Sequence, residues 1–324
     1  MKAVRISAPG GPEAMQLVEV ETPTPGRGEI LIRQAAVGLN FIDTYYRSGL
    51  YKMSFPAGLG REGAGTVEAV GPGVTRFKLG DRVAYASGPN GAYAEAHAVA
   101  ADTAVRLPDE IDFPTAAASM LRGMTAEYLM RRCGPQPKPG ETVLIHAAAG
   151  GVGILLVQWA KAIGLTVIGT VGSPEKAKIA KGFGADHVIL YDREDVAARV
   201  RELTGGKGVP VVYDGVGKDT FEGSLKSLAR RGLLISFGNS SGPAPAVEPI
   251  RLLQAGSVFL TRPTLVDYTA TVDELDESAE AWFAMVRSGK VKVEIGQTRP
   301  LSEVRQAHED LEARRTIGAT VLIP

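Results

Sequence analysis

Short runs of alternating apolar and polar residues, punctuated by Gly and Pro, fill the chain up to residue 107. Runs at 2–7, 16–20, 29–37, 65–70, 82–86, 92–100 and 104–107 read as strands. Turns such as Gly71-Pro72-Gly73 and Gly88-Pro89-Asn90-Gly91 join them, which suggests a partly closed barrel. The period then changes, and 113–132 reads as one helix, ended by Pro135, Pro137 and Pro139. From 142 to 263, apolar runs at 142–145, 165–171, 187–190, 210–213 and 233–237 alternate with helical stretches that include 152–163, 192–203 and 219–229. Such a succession means a doubly wound parallel sheet covered on both faces. Helices near 273–288 and 301–314 and a final strand at 319–323 follow. That last strand needs a sheet to join, and the barrel is its expected host. The fold class is therefore α/β, with one domain over 1–122, to which 264–324 return, and a second over 123–263.

One stretch of the second domain carries chemistry. The run 142–145 feeds the helix 152–163, where only Gln158 and Lys161 are strongly polar, so both elements read as buried. Between them lies Ala148-Ala149-Gly150-Gly151-Val152-Gly153, an A-x-G-x-x-G form of the dinucleotide fingerprint. Gly150 lets backbone approach a pyrophosphate, and Gly153 lets the helix lie tight on its strand. The first helical residues, Gly151 and Val152, turn free N–H groups toward the phosphates. Without a ligand the same glycines would make only a tight strand-to-helix turn.

The second strand ends where an NAD enzyme places an acid on the ribose, but here the chain reads Gly172-Ser173-Pro174-Glu175-Lys176. Ser173 and Pro174 read as N-cap and first residue of the next helix, which puts Lys176 in its first turn. A cation there opposes the helix dipole unless an anion is bound. The pocket suits a 2′-phosphate, so NADPH is favoured over NADH; a solvated surface charge is the competing reading of Lys176. Later strand ends offer Tyr191, Asp214-Gly215-Val216-Gly217 and Phe237-Gly238-Asn239-Ser240-Ser241-Gly242. In such sheets ligands lie beyond those ends.

Composition narrows the partners. The 324 residues are 44% hydrophobic and 22% charged with a formal net charge of zero, giving no electrostatic reason for nucleic acid or an anionic membrane as the main partner. The first residues carry no signal-peptide core, and no apolar run is long enough to span a bilayer. A single cysteine, Cys133, excludes an internal disulfide and a multi-cysteine metal site. A cytoplasmic protein is expected. His97, His146, His187 and His308 are widely spaced and read as structural rather than metal-binding. Cys133, between arginines and a Pro-rich link, has no evident partner for nucleophilic catalysis, and Trp159 and Trp282 read as core.

Several segments together carry a family resemblance. They are Gly38-Leu39-Asn40-Phe41-Ile42-Asp43-Thr44-Tyr45, Gly60-Arg61-Glu62-Gly63-Ala64-Gly65, Gly80-Asp81-Arg82-Val83, His146 to Gly153, Tyr213-Asp214 with Val216-Gly217, Phe237 to Gly242, and Thr261-Arg262-Pro263. The chain resembles, over essentially its full length, the zinc-independent quinone oxidoreductases of the medium-chain dehydrogenase/reductase superfamily, the zeta-crystallin-like group. The resemblance implies a GroES-like, mostly-β catalytic domain, a Rossmann NADP-binding domain and a homodimer. In zinc relatives the catalytic metal takes a Cys at the place of Asn40 and a His at the place of Arg61, and neither residue here is a usable ligand. With no Lewis acid to activate an alcohol, an electron-poor acceptor is expected: hydride passes from NADPH to a small-molecule quinone without metal.

By the same resemblance Asn40, Asp43, Tyr45 and Tyr51 border the nicotinamide and substrate, with Asn40 and Tyr45 as donors to a carbonyl oxygen. Phe41, Ile42, Thr125 and Tyr128 would lie near the nicotinamide. Gly151, Val152, Gly172, Ser173, Lys176 and Tyr191 would serve the pyrophosphate and adenosine phosphate. Val216, Phe237, Gly238, Asn239 and Ser240 would complete the surroundings with Pro263 and Arg314, although Arg315 could replace Arg314. A helix cap for Asp43 and packing for both tyrosines are the competing structural readings. Two other functions stay open: NADPH-dependent reduction of the C=C bond of an enone or alkenal, and an RNA-binding or structural role of the zeta-crystallin kind.

Overall fold

The alternating N-terminal runs form strands because every second side chain enters one apolar core. In the computed structural model, which describes Met1–Pro324, these are β1 (Lys2–Ile6), β2 (Gln16–Glu19) and β3 (Glu29–Leu39). A short helix, α1 (Phe41–Arg47), leads to β4 (Ala57–Gly58), β5 (Gly63–Val70), β6 (Arg82–Tyr85), β7 (Ala96–Ala100) and β8 (Ala104–Arg106). Helices α2 (Phe113–Ala117) and α3 (Met120–Arg131) follow.

The single helix expected over 113–132 is therefore two. Ser119, in the break, donates its hydroxyl to the Thr115 carbonyl at 2.6 Å and accepts the Trp282 indole N–H at 3.3 Å. Local side-chain bonds of this kind compete with helical ones. The strand expected from residue 92 starts at Ala96, since the Gln34 amide takes the carbonyls of Ala92 and Ala94 at 2.5 and 3.0 Å.

The second half alternates: β9 (Thr142–Ile145), α4 (Gly151–Ala162), β10 (Thr166–Val171), α5 (Pro174–Gly182), β11 (His187–Leu190), α6 (Val196–Leu203), β12 (Val209–Asp214) and α7 (Phe221–Ser227). Then come β13 (Leu228–Ser236), α8 (Pro249–Gln254), β14 (Phe259–Thr261) and α9 (Leu265–Tyr268). The tail adds α10 (Val272–Arg287), β15 (Ile295–Pro300), α11 (Val304–Glu312) and β16 (Ala319–Ile323). The helix read over 301–314 starts as a tight turn, Leu301–Glu303, and ends before Arg314, whose φ of 58° lies in the left-handed region. Strand β15, with its Gly, Gln, Thr and Arg, lacks the apolar alternation that would have marked it.

The chain divides into two compact units. The first holds Met1–Met124, Tyr268–Arg287 and Val293–Pro324; the second holds Thr125–Asp267 and Ser288–Lys292. In the first, a seven-stranded sheet runs β15-β16-β3-β5-β6-β8 with β7 also on β3, beside a three-stranded sheet β2-β1-β4. The terminal strand β16 pairs antiparallel with β3, which carries the chain's end into the N-terminal sheet. Ile30, Ile32, Leu39, Tyr85 and Leu322 are among its fully buried core.

The second unit is a parallel sheet in the order β11-β10-β9-β12-β13-β14. The order reverses between β9 and β12, so the turn after β9 sits at the topological switch point where such sheets take ligands. Leu144, Ile168, Ile189, Val212 and Leu234, one from each of five strands, are fully buried in its core.

Candidate active site

In the second unit the fingerprint stands at the carboxyl end of β9. Gly150 is the N-cap of α4 and supplies no side chain to compete for the helix's first N–H groups. At Gly153 a Cβ would overlap the Ala147 carbonyl oxygen, so the close approach of helix to strand depends on glycine. The end of β10 has Gly172 against the Tyr191 hydroxyl. Next, the Ser173 hydroxyl accepts the Lys176 N–H at 3.2 Å, which caps α5 and holds Lys176 in its first turn beside Pro174 and Glu175. No acid occupies the end of β10.

The loops after β12 and β13 interlock through their backbones. Phe237 N–H donates to the Asp214 carbonyl at 2.8 Å, Ser241 N–H to Val216 at 2.9 Å, and Lys218 N–H to Gly242 at 3.0 Å. The ring of Phe237 lies where a side chain at Gly215 would be. Beneath them is a buried polar chain. Ser224 donates to Asp214 Oδ2 at 2.6 Å, so it accepts from His146 Nε2 at 2.9 Å, and His146 Nδ1 accepts from the Thr170 hydroxyl at 2.9 Å. Burial lowers the His146 pKa against the opposing charge of Asp214, which fits that neutral tautomer. Asp214 Oδ1 takes the N–H groups of Val216 and Gly217 and the Thr220 hydroxyl. Ser224 donates to the acid rather than to the imidazole, so the three residues tie the loop after β12 to the strand before the fingerprint and do not form a nucleophile array.

In the first unit Asn40 is the N-cap of α1, directly after β3. Its backbone N–H donates to Asp43 Oδ2 at 2.8 Å, and its side-chain Nδ2 donates to Glu62 Oε2 at 2.6 Å. The other Glu62 oxygen accepts the Leu121 N–H at 2.7 Å. Register explains the encounter: Val37 pairs with Gly63 across β3 and β5, so Glu62 lies opposite Gly38, two residues before Asn40. A Cβ at Gly38 would overlap Glu62 Oε2 and the Ala117 carbonyl, so this approach also needs glycine. Glu62 is fully buried. Burial pushes its pKa up to about 7, against the Arg122 charge and the Asn40 and Leu121 hydrogen bonds.

Asp43 ends a second buried chain. Arg47 can only donate, so His308 Nδ1 accepts from it at 2.8 Å; His308 Nε2–H then faces Tyr93 Oη at 3.1 Å, and Tyr93 donates to Asp43 Oδ2 at 2.8 Å. Every proton in this chain points toward Asp43, whose Oδ1 is buried without a partner. Burial raises Asp43 to about 6 against its hydrogen bonds to Asn40 and Tyr93, and burial beside Arg47 drops His308 to about 3. Asp43 thus caps α1, as the structural reading of it expected, and also terminates a buried network.

An aromatic group surrounds the start of α1. Tyr45 packs against Phe41 at 5.8 Å and edge-on against Tyr51 at 5.3 Å, while Tyr46 meets Tyr51 at 5.5 Å. Arg61 lies over the Tyr46 ring and donates to the Tyr46 hydroxyl at 2.9 Å and the Ser87 carbonyl at 2.8 Å. No group of three or more His, Cys, Asp or Glu side chains is placed to hold a metal. A guanidinium bound in this way is a cation and no metal ligand.

The structure places Asn40, Phe41, Ile42, Asp43, Tyr45 and Tyr51 together in the first unit. Gly150 to Gly153, Gly172, Ser173, Lys176 and Tyr191 gather at the ends of β9 to β11, and Val216 with Phe237 to Ser240 at the ends of β12 and β13. Thr125 and Tyr128 lie on the part of α3 in the second unit, which also holds Pro263, whereas Arg314 lies in the first. Sequence reasoning gave no role to Glu62, Tyr93, Arg122 or His308. The one available signal was Glu62 itself, an acid set between Arg61 and the small residues Gly63-Ala64-Gly65.

The chain matches the alcohol dehydrogenase GroES-like domain over residues 26–109 and the zinc-binding dehydrogenase family over 151–284. It is 54% identical over 324 residues to a quinone oxidoreductase of Pseudomonas aeruginosa, covering 100% of this chain and 99% of that protein. A 2-haloacrylate reductase of a Burkholderia species is 43% identical, over 99% of this chain and 98% of its own. Among solved structures, Escherichia coli quinone oxidoreductase complexed with NADPH superposes with a TM-score of 0.98 at 49% identity, over 100% of both chains.

Proposed function

The chain belongs to the quinone oxidoreductase family of the medium-chain dehydrogenase/reductases, and from that premise we propose that it is an NADPH-dependent quinone reductase working without a metal. The observation that carries this reading is the pairing of an intact dinucleotide cradle with Asn40, an amide donor, where zinc relatives take a metal-binding thiolate. The cradle fits NADPH: Gly150 leaves the α4 N–H groups open, and β10 ends without an acid on its last residues, followed by Ser173 and Lys176 with Glu175 between them in the first turn of α5. When bound, NADPH supplies a hydride from nicotinamide C4, and quinone, hydride and one proton together make a hydroquinone.

The chain's own residues bind and polarise. Gly151, Val152, Gly172 and Tyr191 serve the phosphates and adenosine; Phe237 to Ser240, Val216, Thr125, Tyr128, Pro263 and Arg314 complete the cofactor's surroundings. Asn40 and Tyr45 donate to the carbonyl oxygen on which negative charge develops, and a donor fixed in advance is worth more than one that must reorient. Phe41, Tyr45 and Tyr51 form an aromatic wall suited to a flat acceptor. The final proton comes from water.

A homodimer and a cytoplasmic location belong to the same proposal. β14 is an edge strand of the parallel sheet, and Ile250, Leu253, Phe259 and Val266 around it are 48% to 63% exposed. An exposed edge with apolar flanks suits pairing with a second copy of itself.

The 2-haloacrylate reductase relative favours one second reading, reduction of an activated C=C bond by the same hydride. Steady-state rates with 1,4-benzoquinone, phenanthrenequinone, an alkenal and 2-chloroacrylate, together with NADPH and NADH titrations, separate the two. Quinone turnover with preferred NADPH is expected. Failure of every quinone beside a good rate on an alkene rejects the proposal.

A further inference from the structure

Buried beside the proposed donor is a carboxyl that this reaction has not yet used. Glu62 touches no water and has both oxygens filled by N–H donors, one from Asn40 and one from the backbone of Leu121. A carboxylate accepts and never donates. The Asn40 amide therefore has only one allowed orientation, with nitrogen toward Glu62. One Nδ2 hydrogen is spent on Glu62, and the other remains for a ligand. Were Glu62 protonated, its O–H could donate, and the amide could turn its oxygen to the acid instead.

Building on the quinone reductase reading, we propose that Glu62 is a positioning residue whose carboxylate fixes the Asn40 amide as a hydrogen-bond donor toward the quinone oxygen. Two further features show that the arrangement is built. A side chain at Gly38 would overlap the Glu62 carboxylate where it meets Asn40, and Asp43 clamps the same residue through its backbone N–H. The charged and titratable groups facing Glu62 are Arg122 on α3, Asp43 on α1 and Tyr85 on β6. Arg122, held by the carbonyls of Leu39 and Ala118, favours the carboxylate; Asp43 opposes it. Burial outweighs Arg122 and brings the group's pKa up to about 7.

The sign follows from the active form. The carboxylate holds the donor, so kcat/KM for 1,4-benzoquinone should fall as pH drops through about 7. In Glu62→Gln no charge dictates the amide orientation. Its kcat/KM at pH 8 should fall about 10- to 100-fold, the scale for a misplaced catalytic group, and its profile should lack the fall through about 7, keeping at most the fall near 6 that belongs to Asp43. NADPH affinity, read by titration, should match that of the parent protein. A parent-like rate and profile in the variant would overturn the proposal. Should Glu62→Gln fail to fold, the unaltered protein still decides the matter: with 15N-labelled asparagine, the Asn40 side-chain amide signal, assigned by its loss in Asn40→Ser, should titrate near pH 7, and a signal that stays constant refutes the coupling. The amide titration needs no substrate, so an absence of quinone turnover sinks the functional reading alone.

Discussion

Lys176 stands in the first turn of α5, where its charge opposes the helix dipole and where Ser173 already satisfies its backbone N–H. Under the proposed function the 2′-phosphate, which separates NADPH from NADH, is the anion that answers this charge. Lys176→Ala should therefore weaken NADPH by about 1–3 kcal/mol, the value of a charge-assisted contact, and leave NADH nearly unchanged; equal losses in parallel fluorescence titrations would remove the 2′-phosphate assignment. Residues of this kind were legible from sequence, because a cap, a first turn and a missing acid are local facts. Glu62 was not. Its partners are Asn40 and Leu121, 22 and 59 positions away; the register of β3 on β5 brings the first to it and the start of α3 brings the second. His308 shows the same limit: neutral and buried between Arg47 and Tyr93, it owes its state to residues 261 and 215 positions distant.

At the scale of elements, the strand–turn–helix β9–α4 is set by close contact. A methyl at position 153 would strike a backbone oxygen, which cannot rotate away as a side chain can. Gly153→Ala should push α4 off its strand, lowering stability by about 1–3 kcal/mol as overpacking does and raising the NADPH dissociation constant; urea unfolding and a cofactor titration check both. Unchanged values would mean that the fingerprint helix is not pinned at this point. Apolar period marked five of the six strands of the parallel sheet, all but edge strand β14, since each enters a buried layer. It did not mark β15, which is polar along its length, nor the break between α2 and α3, where a serine hydroxyl outcompetes the backbone.

For the whole molecule the formal net charge is zero, and assembly rests on its surfaces. The apolar residues flanking edge strand β14 make self-association the expectation. Light scattering should give twice the 34.1 kDa chain mass, and a charge at the edge, Phe259→Asp, should return the single-chain mass; a parent protein that runs as a monomer at assay concentration would refute the dimer. The sequence alone determined most of the strands and helices, where the glycine turn lies and that β10 ends without an acid, because each depends on neighbours within a few residues. Tertiary structure decided the rest. The orientation of Asn40, the protonation of Glu62 and the tautomers of His146 and His308 are consequences of burial and of donors brought from distant strands, and these come into being only when the sheets close over them.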